Sequence, residues 1–199
     1  MKHLAISQRV DIIPEYGERR DALDQNWHTF FKAAGLMATP LPNNPETANQ
    51  IIQNNQFDGI VLSGGNDLVS YGGDAPERDE TEKMLLDYAI LQKLPLMGIC
   101  RGLQFIQASF GATLKQVLGH VSTRHEIIIN GNSQTVNSYH NFGSFEDVSD
   151  LETLAVSKEG VIESVRHREH RIHGIMWHPE REAPFRASDI SLFQDFFGD

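Results

Sequence analysis

The chain has 199 residues, 40% of them apolar, 9% aromatic and 22% charged, a composition that supports one domain, 1–199, around a sizeable core. Seventeen Lys and Arg against 27 Asp and Glu give a net charge of −10, which argues against broad binding of a nucleic-acid backbone. No apolar run reaches the roughly 20 residues of a membrane span, the opening MKHLAISQRVD is too polar for a signal peptide, and a single cysteine excludes an intrachain disulfide and points to the cytoplasm.

In chain order, Leu4 to Ser7 predicts a short strand. Arg19 to Ala34 predicts a helix, with Leu23, Trp27, Phe30 and Ala34 on one face and Gly35 as its stop. Leu36 to Leu41 is a second strand. Asn44-Pro45-Glu46 is a capped helix start, and that helix runs to about Asn54. Phe57 to Leu62 is a third strand, ending in the loop Ser63-Gly64-Gly65-Asn66-Asp67. A helix from about Asp79 to Gln92 turns Met84, Leu85, Tyr88 and Leu91 inward, and Leu94 to Ile99 is a fourth strand. It runs into Cys100 and a helix that Gly111 stops. This alternation implies a mostly parallel sheet with helices on both faces. Beyond it, Glu126–Ile129, Thr135–Ser138, Leu154–Ser157, Val161–His167 and Ile172–Trp177 read as strands joined by short turns. Ser188 to Phe197 closes the chain as an amphipathic helix.

The segment Gly98-Ile99-Cys100-Arg101-Gly102 joins an apolar strand to a helix. It has the form of a nucleophile elbow with cysteine in the serine position. Glycines two before and two after the nucleophile relieve crowding in a sharp turn. The helix N-terminus points free N–H groups at the sulfur, which favours the thiolate, and the Arg101 N–H is placed to donate to an oxyanion. A lone cysteine after an apolar strand is ordinarily a buried small hydrophobe; the paired glycines argue otherwise. A base is also needed. Ile175-Met176-Trp177-His178-Pro179-Glu180 is an apolar strand ending in His, with Pro to stop it and Glu two residues on. Glu180 can then accept from the imidazole and hold its tautomer.

Together, Gly98–Gln104 and Trp177-His178-Pro179-Glu180 resemble the class I glutamine amidotransferase superfamily over essentially the whole chain. The resemblance implies a flavodoxin-like three-layer α/β/α sandwich, with its mostly parallel central sheet extended by antiparallel strands in the C-terminal half. It also implies a catalytic set of Cys100, His178 and Glu180, an oxyanion hole from the N–H groups of Gly65 and Arg101, and contact of Gly64 and Gln104 with a glutamyl substrate. No cofactor is implied.

Val136-Asn137-Ser138-Tyr139-His140, Ile6-Ser7-Gln8-Arg9-Val10 and Arg20-Asp21-Ala22-Leu23-Asp24-Gln25 with Trp27 resemble the γ-glutamyl hydrolase branch. Within it the chain is most similar to the γ-glutamyl-CDP-amidate hydrolases of capsule phosphoramidate synthesis. The implied reaction cleaves a small γ-glutamyl amide to glutamate and an amine through a thioester. The alternatives are a γ-glutamyl-γ-aminobutyrate hydrolase and an ammonia-donating glutaminase subunit; the chain ends soon after His178, which disfavours a fused synthase. A non-enzymatic binding module of the same fold is disfavoured because Cys, His and Glu all stand in their motif positions. A diphosphate leaving group needs cations, for which Arg101, Arg181, Arg19 and Arg20 are candidates, although each also reads as a solvated surface charge. Tyr139 and His140 are expected at the substrate, with core packing or a hydrogen-bonded place behind the site as their ordinary readings. The run Arg166–His173 holds three histidines, but no Cys or nearby Asp completes a ligand set, so no metal is expected there and a polar hairpin turn fits better.

Overall fold

Apolar strands and amphipathic helices alternate through the first half of the chain, and strands joined by short turns make up the second. The computed structural model of the protein describes residues 1–198. In order they form β1 (Lys2–Ile6), β2 (Arg9–Ile13), β3 (Glu18–Ala22), α1 (Asn26–Ala33), β4 (Leu36–Pro40), α2 (Pro45–Asn54), β5 (Gly59–Leu62), α3 (Pro76–Gln92), β6 (Leu96–Ile99) and α4 (Arg101–Ser109). There follow β7 (Lys115–Gln116), β8 (Val121–Ile129), β9 (Asn132–Tyr139), β10 (Phe142–Gly143), β11 (Leu151–Ser157), β12 (Ile162–His167), β13 (Ile172–Ile175) and α5 (Ala187–Gly198).

Nine strands make one sheet in the order β4-β1-β5-β6-β13-β12-β11-β8-β9. The first five pair in parallel. From β13 outward every pairing is antiparallel, as the division between the two halves of the sequence predicts. Strand alternation sends Gly59 and Leu62 to opposite faces. A Cβ on Gly59 would meet the Phe197 ring of α5, whereas Leu62 lies against Gly102 of α4, so helices cover both faces. Helix α1 joins α5 through aromatic contacts, Phe30–Phe193 edge-on at 4.9 Å and Trp27–Phe193 tilted at 6.3 Å. Such pairs add about 0.5–1.5 kcal/mol each beyond the area they bury. Asn44 caps α2 as expected, its Oδ1 accepting from the Thr47 N–H at 2.8 Å. No helix among the described residues is long and apolar enough to cross a membrane.

Two expectations are corrected. Residues 19–22 are not helical: Glu18–Ala22 pairs antiparallel with Arg9–Ile13, and the helix starts only at Asn26. Pro14 and Gly17, the latter at φ +64, supply the turn. Asp21 locks the hairpin down by accepting from the backbone and side-chain N–H groups of Asn43 at 3.0 and 2.7 Å. In α3 the inward face is also rotated. Leu85 is buried, but Leu91 is 75% exposed, and the helix buries Arg78 and Glu82 instead. A hydrophobic pattern cannot place a buried ion pair. The two-residue pair β7–β10 is too short to leave a sequence signal.

The parallel register aligns the C-terminal ends of three strands. Leu62 pairs with Gly98, and Gly98 with Gly174. The segments that leave β5, β6 and β13 therefore emerge side by side, at the edge where α/β sheets bind their ligands.

Candidate active site

Cys100 occupies the turn between β6 and α4 at φ +51, ψ −101, a backbone conformation rare for any residue but glycine. Such a conformation costs on the order of 1–3 kcal/mol and persists only where the surroundings impose it. Here the Cys100 N–H donates to the Ile175 carbonyl at 2.8 Å, fixing the turn to the end of β13. The flanking glycines have a steric reason. A Cβ on Gly98 would stand 2.6 Å from the Gly102 carbonyl, and one on Gly102 would stand 2.3 Å from the Leu62 oxygen.

His178 follows β13, and its backbone is held from both sides by one residue of β9. Asn137 Oδ1 accepts from the His178 N–H and Asn137 Nδ2 donates to the His178 carbonyl, each at 2.8 Å. His178 Nδ1 lies 2.7 Å from Glu180 Oε1, and both side chains are buried. That contact makes Nδ1 the donor. It leaves Nε2 without a partner of regular hydrogen-bond geometry among the described residues, yet near enough to the Cys100 sulfur to feel its charge. Burial opposes a cation there, but the Cys100 sulfur and the Glu180 carboxylate outweigh it and push the imidazole up to about 9.

The loop after β5 closes the third side. A Cβ on Gly64 would lie 2.6 Å from His178 Cε1, and Gly65 takes φ +90. Beneath the loop the fully buried Arg78 donates to the Ser63 carbonyl at 2.6 Å, the Gly64 carbonyl at 3.2 Å and the Gly65 carbonyl. Glu82 accepts from Arg78 at 3.0 Å and also from Arg101 and Ser7, so one carboxylate links the loop, β1 and α4. Burial pushes the Arg78 guanidinium down to about 9, still cationic at neutral pH.

Two adjoining lobes of about 260 and 330 Å³ meet at His178 and Gly65. The larger holds Cys100, Gln104, Tyr139 and His140; the smaller is bounded by Asp11, Asp24, Trp27 and Glu180. Arg9 and Arg181 line both lobes. The structure thus brings together Cys100, His178, Glu180, Gly64, Gly65, Gln104, Tyr139, His140 and Arg181. Tyr139 stands edge-on to His178, ring centres 5.5 Å apart, with the Arg181 guanidinium 4.4 Å from its own ring centre. Gln104 Nε2 donates to the Phe142 carbonyl at 2.9 Å.

Three expected cations are placed elsewhere. The Arg101 guanidinium is buried against Glu82 and Asp79, so only the backbone of that residue is free to serve the cavity. Arg19 pairs with Glu77, and Arg20 with Glu18. Both lie in β3 and line neither lobe. Sequence reasoning passed over Arg9, Arg78 and Asn137. Arg9 was legible only as part of the Ile6–Val10 segment, and its position rests on Asn66, which exchanges hydrogen bonds with the Val10 backbone at 2.8 and 2.9 Å.

Of the histidines in 166–173, His167 and His170 lie ring against ring at 4.5 Å, and His173 makes its contact elsewhere. His173 Nε2 is 3.0 Å from Ser164 Oγ, and burial pushes its imidazole down to about 4. A different group does converge, His120, His125, His140 and Glu163.

The Peptidase C26 family profile matches residues 7–130 and 120–180. The chain is 32% identical over 197 residues, 98% of its own length and 96% of the relative's, to a γ-glutamyl-CDP-amidate hydrolase of Campylobacter jejuni. It is 34% identical over 158 residues to the carbamoyl phosphate synthase small chain of Bacillus cereus, covering 75% of this chain and 40% of that one. A glutamine amidotransferase structure from Thermotoga maritima superposes at TM-score 0.67 with 14% identity, over 98% of this chain and 83% of that one.

Proposed function

The chain belongs to the Peptidase C26 family, and from that premise we propose that it is a cysteine-dependent γ-glutamyl hydrolase acting through Cys100, His178 and Glu180. The observation that carries the reading is the orientation of His178. Its Nδ1 is tied to Glu180 at 2.7 Å, which leaves the buried Nε2 to the Cys100 sulfur beside the cavity that both residues line.

In the proposed reaction the Cys100 thiolate attacks the γ-carbonyl carbon, and the carbonyl π electrons move to oxygen. The N–H groups of Gly65 and Arg101 hold that oxyanion. Arg78 is a positioning residue here. By taking the carbonyls of Ser63, Gly64 and Gly65 from below, it fixes the peptide planes whose N–H groups must face the cavity. As the C–N bond breaks, the His178 imidazolium gives its Nε2 proton to the departing amine and a glutamyl thioester remains. A pKa near 9 keeps that proton available at neutral pH. Water, deprotonated by His178, then attacks the thioester and releases glutamate and the thiolate. Glu180 holds the imidazole in the needed tautomer throughout.

The lobe holding Cys100 and Gln104 suits the glutamyl portion, and the lobe toward Trp27 suits the amine. Arg9 and Arg181, which border both, are the cations a phosphorylated leaving group would meet. Together with the likeness to the Campylobacter jejuni relative, they favour γ-glutamyl-CDP-amidate as substrate, which would be cleaved to glutamate and cytidine diphosphoramidate. The likeness to a carbamoyl phosphate synthase small chain favours a second reading, ammonia donation to a synthase. A panel of γ-glutamyl amides, including glutamine, assayed for released glutamate separates the two. Fastest turnover of the nucleotide amide supports the hydrolase. Fastest turnover of glutamine, or activity only with a second protein added, transfers the assignment to the ammonia donor.

A further inference from the structure

Beside the cavity that His140 lines, four side chains from two strands and two connecting segments bring ligand atoms together. His120 precedes β8, His125 lies on β8, His140 follows β9 and Glu163 lies on β12. Their nearest nitrogen and oxygen atoms all fall within 4.8 Å of one another. His120 Nδ1 is 3.1 Å from His140 Nε2, and Glu163 Oε1 is 3.2 Å from His125 Nε2, 3.5 Å from His140 Nε2 and 3.7 Å from His120 Nδ1. Ligand atoms about 2.0–2.1 Å from a tetrahedral zinc-class ion stand roughly 3.3 Å from each other. Four of the six separations, at 3.1, 3.2, 3.5 and 3.7 Å, lie near the edge of that tetrahedron, and the other two are within 4.8 Å.

Hydrogen bonding alone does not account for the group. His125 Nδ1 and Nε2 and Glu163 Oε1 are buried without a hydrogen-bond partner among the described residues, despite the 3.2 Å between two of them. Atoms this close and yet misaligned have lone pairs that converge on a common point instead of on each other. Buried polar groups left this way are costly, and a cation at the common point takes His125 Nε2 and Glu163 Oε1 together with one nitrogen each of His120 and His140.

The surrounding contacts orient the ligands. His140 Nδ1 sits 2.9 Å from the Phe142 carbonyl, so that nitrogen carries the proton and Nε2 presents its lone pair inward. His120 Nε2 faces the Glu159 carboxylate at 3.9 Å, a partner for the proton that His120 must move from Nδ1 when Nδ1 becomes a ligand. We propose that His120, His125, His140 and Glu163 form a binding site for one divalent transition metal of the zinc class. Three imidazoles and one carboxylate suit zinc, cobalt or nickel and not magnesium or calcium, which require mostly oxygen. His120, His140 and Glu163 are each under 5% exposed, and four protein ligands close the coordination sphere. The site is therefore structural, pinning β12 to the β8–β9 hairpin that carries Asn137 and Tyr139.

The test uses untagged protein purified without a metal-affinity resin, stripped with chelator and titrated with cobalt and with zinc. The expected result is about one equivalent bound, an intense tetrahedral cobalt absorption, and a melting temperature raised by zinc. His125→Gln and Glu163→Gln should each weaken binding by more than the roughly 10- to 100-fold that outer-sphere partners carry and remove the cobalt band. A pale octahedral cobalt spectrum, no uptake, or equal uptake in both variants overturns the proposal. Should the variants fail to fold, the wild-type cobalt spectrum decides alone, because exposed histidines give the octahedral form.

Discussion

The two walls of the Cys100 cavity use buried charge in opposite ways. On the wall formed by the loop after β5 with α3 and α4, cations and anions are spent on one another and on backbone. Arg78 takes Glu82 and three consecutive carbonyls, and Arg101 takes Glu82 and Asp79. On the wall formed by β9 and the segment after β13, atoms are left over. His178 Nε2 and Glu180 Oε2 have no hydrogen-bond partner among the described residues, and behind them neither have His125 Nε2 and Glu163 Oε1. Paired charge immobilises backbone N–H groups, whereas a buried imidazole with one nitrogen left over can give up a proton and take it back. On the proposed mechanism the first wall holds still and the second does the chemistry.

The largest expected effect comes from the residue between the walls. Cys100→Ala should lower turnover by roughly 10⁴- to 10⁶-fold, as loss of a nucleophile does elsewhere, with the melting temperature little changed. Mass spectrometry of wild-type protein quenched during turnover should find glutamate esterified to Cys100. Near-normal activity in the Ala variant would remove Cys100 from the mechanism and dissolve the distinction between the walls.

Next, the reactive wall can be split into its parts. His178→Asn should cost about 10²–10⁴ in kcat, the usual range for a general base, and Glu180→Gln should cost less. Gln keeps a hydrogen-bonding group near Nδ1 but cannot balance the imidazolium. Losing that carboxylate also removes one of the two charges that raise His178 to about 9, so an NMR titration of the imidazole should move downward in Glu180→Gln. Because its folded pKa is raised above 6.5, His178 contributes stability that is complete below 6.5 and is lost as pH rises through about 9. The variant should show less of that loss. Equal kinetic effects at the two positions would mean that Glu180 does more than orient its neighbour.

The holding wall has a different signature. Arg78→Met should destabilise the fold by about 3–5 kcal/mol, because Glu82 is left buried with one cation fewer. In protein that still folds, it should lower kcat more than it raises KM, since the displaced loop would fail the transition-state oxyanion more than the bound substrate. A loss of stability with kcat intact would make Arg78 purely structural.

This contrast also explains what the sequence revealed. The elbow Gly98–Gly102 and the run Trp177–Glu180 are local patterns whose residues keep their spacing in the structure, so their placement was legible. The nine strands of the main sheet and most helices were legible for the same reason, as runs of a single period, whereas β2, β3, β7 and β10 were not. Arg78 and Asn137 were not, because each acts on a partner distant in sequence; Asn137 reaches His178 across 41 positions. The converging group of His120, His125, His140 and Glu163 was hidden likewise, because its members are spread over 44 positions, from 120 to 163, whereas the histidines of 166–173 stand close together in sequence. The β2–β3 hairpin was misread because charged residues before Trp27 look the same on the polar face of a helix as on an exposed ribbon.

The smallest expected effect concerns the two cations that face both lobes, Arg9 and Arg181. Each is partly engaged, Arg9 with Asp11 at 2.7 Å and Arg181 over the Tyr139 ring and 3.7 Å from Glu180. Unlike Arg78 and Arg101, they remain half-exposed or nearly so, with side chains 49% and 31% accessible, so they can shift toward an incoming anion. Replacing either by Ala should therefore leave a neutral γ-glutamyl anilide nearly as good a substrate as before. A γ-glutamyl amide of a nucleoside diphosphate should suffer more. A charge-assisted hydrogen bond to phosphate is worth about 1.5–3 kcal/mol, or roughly 10- to 100-fold in specificity. The measurement is the ratio of kcat/KM for the two substrates in wild type, Arg9→Ala and Arg181→Ala, with Arg19→Ala and Arg20→Ala alongside. Taking the ratio removes any general damage, which matters for Arg181 because its loss also frees Tyr139 beside His178. A ratio unchanged in both variants would mean that the leaving group carries no phosphate or does not occupy the lobe toward Trp27. A ratio that moves with Arg19 or Arg20 instead would shift the leaving group onto the β2–β3 hairpin, along a ribbon whose charges are now paired with Glu77 and Glu18.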